Sequence, residues 1–200
     1  MVDGNLKTDH RAFAELSGAL VNELLTELDT IRRGKAWKEL SQSERRMIVR
    51  VTFATIEAAI YVFKQFALAA DFEPNGPTIS EAERGFAVER EFKLMPSGDV
   101  EQRAAKISLE TNIRFTFKLL VKASKAPLAL DISGPQWQSL QRAIKVRDRI
   151  THPKNISDLT ISDAEFPDVI VGFKWLVASL AKLGKILGDS LLKRCDDLED

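Results

Sequence analysis

Apolar residues recur at three- and four-residue steps over most of this chain, the spacing that gathers them on one face of a helix. Phe13, Leu16, Leu20, Leu24, Leu28 and Ile31 mark a first amphipathic helix from about Thr8 to Arg33, stopping near Gly34. Ser41 followed by Glu44 has the spacing of a capping box and predicts a second helix from about Gln42 to Ala70. From Met47 onward this helix is apolar nearly all round, through Ile48, Val51, Phe53, Ile56, Ile60, Val62, Phe63 and Phe66. Such girth is expected of a helix at the centre of a core, or of one shared with a second subunit.

Glu73-Pro-Asn-Gly-Pro77 interrupts the pattern, and Thr78 with Glu81 predicts a new cap and a shorter helix to about Arg90. Phe92 to Ile107 has no clear period; Pro96-Ser-Gly-Asp99 suits the turn of a small hairpin or a loop, and a loop is the expectation. Helical spacing returns at Leu109, Ile113, Phe117 and Leu120 and ends before Pro127. Ser133, with Pro135 just inside, predicts the start of a further helix, and Pro153 should end it at His152, because proline disfavours helical geometry in the residue before it. Ser162 and Glu165 form one more capping box, ahead of a long helix through Phe173, Leu176, Leu180, Leu183, Leu187 and Leu191. No repeat period, Gly-rich phosphate loop or alternating β-branched run competes with this reading. The expectation is an all-α protein: an up-and-down bundle of five to six helices in a single domain over residues 1–200, with a loop-rich connection at about 71–108.

A chain of 200 residues with 44% hydrophobic and 29% charged residues has the composition of a folded protein with a sizeable core. Lys plus Arg and Asp plus Glu number 29 each, so there is no net field to draw nucleic acid or an anionic membrane, and a nucleic-acid site must be a local patch. The opening MVDGNLKTDH is polar, unlike a secretory leader, and Cys195 is alone; a reducing cytoplasm is the expected setting. Val51 to Phe63, the most apolar stretch, is too short to span a bilayer and contains Glu57, so no membrane is expected. Two distant histidines and one cysteine do not make a zinc set, and neither metal nor cofactor is expected.

The chemistry is concentrated in Lys145-Val-Arg-Asp-Arg-Ile-Thr-His-Pro-Lys154. At about 100° per residue, Leu140, Ala143, Ile144 and Ile150 share a broad face, and Arg147 falls among them rather than with Arg142, Lys145 and Arg149. An unpaired ion on an apolar face costs several kcal/mol, so Arg147 should meet a carboxylate, a partner chain or an anionic ligand. The bland form of this is an ion pair with another helix. His152 is either a favourable cation at a helix C-terminus or an acid and base near neutral pH. Arg142, Lys145, Arg149 and Lys154 form a basic stripe that is either a solvated face or a track for a phosphate backbone.

The pattern Arg147-Asp148-x-x-x-His152, at the end of a helix and ahead of a long final helix, resembles the HEPN superfamily. Its members are helical bundles whose signature is an arginine, a polar residue that is usually asparagine but is also aspartate or histidine, and a histidine a few residues on. The match is specific over Val146 to Lys154. The resemblance implies a metal-independent endoribonuclease of toxin-antitoxin, abortive-infection or CRISPR-associated defence systems, pairing two motifs across a homodimer cleft, with an antitoxin or defence protein as partner. It implies catalytic roles for Arg147, which has a planar fork for phosphate oxygens, and for His152, which moves protons; Asp148 orients one of them. Two departures stand out: aspartate replaces the commoner asparagine, and Lys154 stands where nucleotidyltransferase-paired toxins carry a tyrosine. Some members keep the fold without activity, so a non-catalytic helical module that binds a nucleotide, RNA or a partner protein is the alternative.

Overall fold

The computed structural model describes residue 19 and residues 22–71, 78–125 and 130–196, with side chains described as far as residue 186. Among these residues the protein is all-α apart from one hairpin. Its elements are α1 (22–32), α2 (Gln42–Ala70), α3 (Glu81–Ala87), β1 (Arg90–Leu94), β2 (Val100–Ala104), α4 (Leu109–Ser124), α5 (Pro135–Thr151) and α6 (Phe166–Asp196). Short 3-10 turns lie at Trp37–Glu39 and Ile156–Leu159. The expected positions Phe13, Leu16 and Leu20, and the breaker Glu73 to Pro77, lie outside the described residues. The chain divides into two compact units, one from Met1–Ala59 with Asp131–Ala178, the other from Ile60–Leu130 with Ser179–Asp200.

In the first unit, α1 stops where Arg33 and Gly34 turn to positive φ (48° and 74°). α2 opens on the expected box: the Ser41 N–H donates to Glu44 Oε2 at 2.8 Å and the Glu44 N–H to Ser41 Oγ at 3.3 Å. Ile48, Val49, Phe53 and Ile56 of α2 are buried, as are Trp137, Leu140, Ala143, Val146 and Ile150 of α5 and Phe166, Val169 and Leu176 of α6. α5 and α6 approach closely at Gly172, where a Cβ would lie 2.7 Å from Leu140 Cα and 2.9 Å from its nitrogen. Above that contact Trp137 and Trp175 meet edge-on with centroids 5.9 Å apart. Gln42 clamps the segment leading into α6, donating from Nε2 to Ile161 O (2.9 Å) and accepting from Ile161 N–H (2.8 Å). Ser162 and Glu165 form the expected box at the foot of α6.

The helix start at Pro135 differs in detail. Gly134, not Ser133, is the N-cap. Asp131 Oδ1 instead accepts from the N–H groups of Ser133 and Gly134, each at 3.0 Å, so an upstream carboxylate takes over the capping of a turn that ends in proline.

The second unit holds the rest of α2 with Ile60, Val62 and Ala67 buried, and Ile113, Phe117, Leu119 and Leu120 of α4 beneath the hairpin region's helix α3. Two expectations are corrected here. α3 is capped by Ser80 with Glu83 rather than by Thr78 with Glu81, and it stops at Ala87 short of Arg90. The earlier pair is unused because Thr78 is committed to Asp71, to which it donates from N–H (2.8 Å) and from its hydroxyl. Phe92 to Ile107 is not a plain loop: β1 and β2 pair antiparallel from Arg90↔Ala104 to Leu94↔Val100. Gly98, at φ 90°, makes the turn, closed by Met95 N–H on Asp99 O at 2.8 Å. Phe92, Leu94 and Val100 stay exposed, so the burial that makes a strand legible in sequence is missing. The loop-rich connection expected over about 71–108 therefore contains a helix and a hairpin.

The girth of α2 is largely covered within the chain, leaving Met47 and Tyr61 as its exposed large apolar side chains. Its apolarity therefore supplies no separate argument for a second subunit.

Two stability effects follow. Gly172→Ala must push α6 off the Leu140 backbone, which cannot swing aside as a side chain would; a loss of about 1–3 kcal/mol is expected in urea unfolding. Asp71 has no exposed side-chain surface. Burial pushes its carboxyl up, but the hydroxyl and N–H of Thr78, the N–H of Ile79 and the Arg84 guanidinium outweigh burial and hold it below the ordinary value. A folded pKa below the unfolded one gives stability that is complete above the ordinary carboxylate range and is lost as pH falls through the folded value. Thermal unfolding between about pH 7 and about pH 2.5 should show this acid limb, and Asp71→Asn should flatten it while costing about 1–3 kcal/mol near neutrality.

Candidate functional site at the end of helix α5

Helix α5 ends where Pro153 requires. His152 is the C-cap, at φ −123° and ψ 58°, and its N–H still donates to Asp148 O at 3.0 Å. The chain then enters a built turn in which Asp158 Oδ2 accepts from the N–H groups of Lys154 (2.8 Å) and Asn155 (3.1 Å). The Thr151 hydroxyl donates back to Arg147 O at 2.7 Å, tightening the last turn.

Arg147 sits at the margin of the apolar face, beside buried Val146 and Ile150, with 29% of its side chain exposed. Of the partners open to it on sequence grounds, it takes a carboxylate. Nη2 donates to Glu57 Oε1 on α2 and Nη1 to Asp148 Oδ1 at 3.0 Å. One guanidinium between two carboxylates leaves the cluster with a net charge of about −1. The imidazole of His152 is exposed and makes no hydrogen bond or ion pair among the described residues. The three motif residues thus occupy the same exposed end of α5, but Arg147 is engaged sideways with α2 while His152 faces water.

Glu57 was not among the expected site residues. Its only sequence signal is a charge inside the apolar run Val51 to Phe63, and its partner lies 90 positions away.

The basic stripe separates into two kinds of residue. Arg142 forms a two-pronged pair with Asp168, from Nε at 2.7 Å and Nη2 at 2.8 Å, and Nη2 also reaches Ser139 Oγ at 3.1 Å. The hydrogen bond from Arg142 holds the Asp168 carboxyl below its usual range against the effect of burial. Arg149 pairs with Glu165 at 2.9 Å. Burial raises Glu165, but Ser162 and Arg149 outweigh it and the carboxyl is lowered. Lys145 and Lys154 are exposed and carry no ion pair among the described residues. Two of the four stripe cations therefore hold α6 to α5, and two remain available to solvent.

A cavity of about 460 Å³ lies elsewhere in the first unit, lined by Trp37, Phe166, Pro167, Ile170 and Val171 with Arg45 and Asp163 on its wall. Arg45 is committed: it donates to Leu40 O (3.2 Å) and Ile161 O (3.1 Å) and pairs with Asp163 at 2.6 Å. Periodicity could not have found this cavity, since it joins a 3-10 turn to the first turns of α6. Among the described residues no His, Cys, Asp and Glu side chains converge into a group of three or more able to hold a metal ion. No helix among them is long and apolar enough to cross a membrane. Comparison with protein-family models, with curated proteins and with solved structures finds no match.

Part-exposed ion pairs are worth little, so Arg147→Ala should lower stability by under about 1 kcal/mol, and His152→Ala by about 0.3–1 kcal/mol through lost helix-end charge. Urea melts of both variants check this. A much larger loss would make Arg147 a structural keystone rather than a functional group.

Proposed function

We propose that this chain is a HEPN-like, metal-independent endoribonuclease that works as a homodimer in the cytoplasm, with Arg147, Asp148 and His152 as its motif. The observation that carries the reading is the unpartnered, exposed imidazole of His152 on the same helix end as the guanidinium of Arg147. An imidazole that no hydrogen bond or ion pair among the described residues engages is free to exchange protons with a bound substrate.

The chemistry is self-contained. The RNA 2′-hydroxyl attacks the adjacent phosphorus while His152 accepts its proton; the 5′-oxygen leaves and takes up a proton, from the paired motif's histidine or from water. Arg147 lays its fork of donors on the phosphate oxygens as charge builds in the five-coordinate transition state. Asp148, already bonded to Nη1, orients that fork. To reach phosphate, Arg147 exchanges its bond to Glu57 for one to the substrate, so Glu57 competes with RNA. Lys145 and Lys154 are the cations that track the backbone, since Arg142 and Arg149 are neutralised by Asp168 and Glu165. A toxin or defence role, with an antitoxin or defence protein as partner, belongs to the same proposal.

The second reading is a non-catalytic helical module that binds nucleotide, RNA or a partner protein. It draws on the two carboxylates that engage Arg147, which leave its guanidinium occupied where catalysis needs it on the scissile phosphate.

Labelled RNA incubated with the protein in excess EDTA separates the two. Cleavage is expected, reduced at least about a hundredfold in both Arg147→Ala and His152→Ala. Glu57→Gln should tighten RNA binding by up to about fivefold, the equivalent of removing a competing pair worth about 1 kcal/mol. Cleavage abolished by EDTA would sink the metal-free mechanism, and RNA binding without cleavage would establish the second reading.

A further inference from the structure

The hairpin of the second unit has a free edge. Among the described residues the sheet has only the strands β1 and β2, and all five residues of β2 are exposed. Hydrogen bonds at the two ends of the ladder, Met95 N–H to Asp99 O (2.8 Å) and Ala105 N–H to Glu89 O (2.9 Å), set its alternation. By that alternation Glu101 and Arg103 spend their backbone groups on β1, while Val100, Gln102 and Ala104 direct theirs to the open side. An exposed edge with unspent backbone groups is a template for another strand.

The side chains say which strand fits. β2 reads Val100-Glu101-Gln102-Arg103-Ala104, a charge palindrome about Gln102. Turned antiparallel on itself with Gln102 opposite the partner's Gln102, it sets Glu101 against the partner's Arg103 and Arg103 against the partner's Glu101. These fall at non-hydrogen-bonded positions, where opposed side chains come closest. Within one hairpin Arg103 already bonds Glu91 at 2.6 Å, and Lys93 lies opposite Glu101. Across four strands one row then runs Lys93, Glu101, the partner's Arg103, the partner's Glu91, alternating in sign throughout, and the two-fold generates the other row. Slipping the register by one residue would break both rows and turn the faces over.

We propose that a second copy of this chain docks here, β2 against β2, to make a continuous four-stranded antiparallel sheet. The association stands independently of the ribonuclease reading, since the hairpin carries none of the motif residues.

The test uses the full chain in sedimentation velocity over a range of concentrations. Glu101→Arg and Arg103→Glu each set like charges opposite one another, and each is expected to weaken the association at least about tenfold. Mixed in equal amounts, the two variants should recover it, because both pairs opposed across the interface become attractive again, while the like charges that each variant sets against Lys93 or Glu91 within its own hairpin are the same in the mixture as in the separate variants; circular dichroism of each confirms retained helix. As a second measurement, Gln102→Cys in a Cys195→Ser background should form an intermolecular disulfide on mild oxidation, the opposed Cα atoms lying about 5.5 Å apart, whereas Ser97→Cys should not. No concentration-dependent association in the parent, association that neither reversal changes, or failure of Gln102→Cys to cross-link overturns the proposal. RNA cleavage measured on the same variants distinguishes this outcome from a failure of the ribonuclease reading.

Discussion

The close approach of α6 to α5 at Gly172 is the constraint on which the candidate site depends. Only hydrogen occupies the space between Gly172 and the Leu140 backbone, so at this point the two helices meet main chain to main chain. That proximity lets the short carboxylate of Asp168 reach both prongs of Arg142 and lets Glu165 reach Arg149. With bulkier packing at this point the pairs would lengthen and the stripe along α5 would be a loose basic face.

The polar surroundings of α5 are arranged so that each guanidinium has its own acid: Arg142 with Asp168, Arg149 with Glu165, Arg147 with Glu57 and Asp148. Part-exposed pairs of this kind contribute modestly to stability, and their larger effect is to fix where side chains point. Arg147 is the exception in degree, held at the border of the core with more than one acid, and His152 is the exception in kind, its imidazole without a partner among the described residues.

Much of this was legible beforehand. The box at Ser41 and Glu44, the stop at Gly34, the end of α5 before Pro153 and the spacing through Leu176, Leu180 and Leu183 are local signals, and each appears as a helix boundary or a buried face. The misplaced position of Arg147 was legible too, since it follows from helical geometry alone. The hairpin was obscured because Phe92, Leu94 and Val100 are left in water, and the Thr78 cap was obscured because Asp71 claims Thr78 first. At Thr78 a competing interaction decided the outcome, whereas at the hairpin the exposed side chains left no burial pattern to read.

The sequence by itself determined where most helices begin and end, α3 excepted, and which face of each is apolar, because caps, prolines and three-to-four spacing act over a few residues. Only the tertiary structure decided who meets Arg147. Glu57 lies 90 residues from it along the chain, and nothing local distinguishes that carboxylate from Asp168 or Glu165 as a partner. The tertiary structure likewise showed that α2 is covered by its own chain, and that two of the four stripe cations are already paired. Pairings of this range depend on which backbones approach closely enough, and that is settled by packing at positions such as Gly172 rather than by the charges themselves.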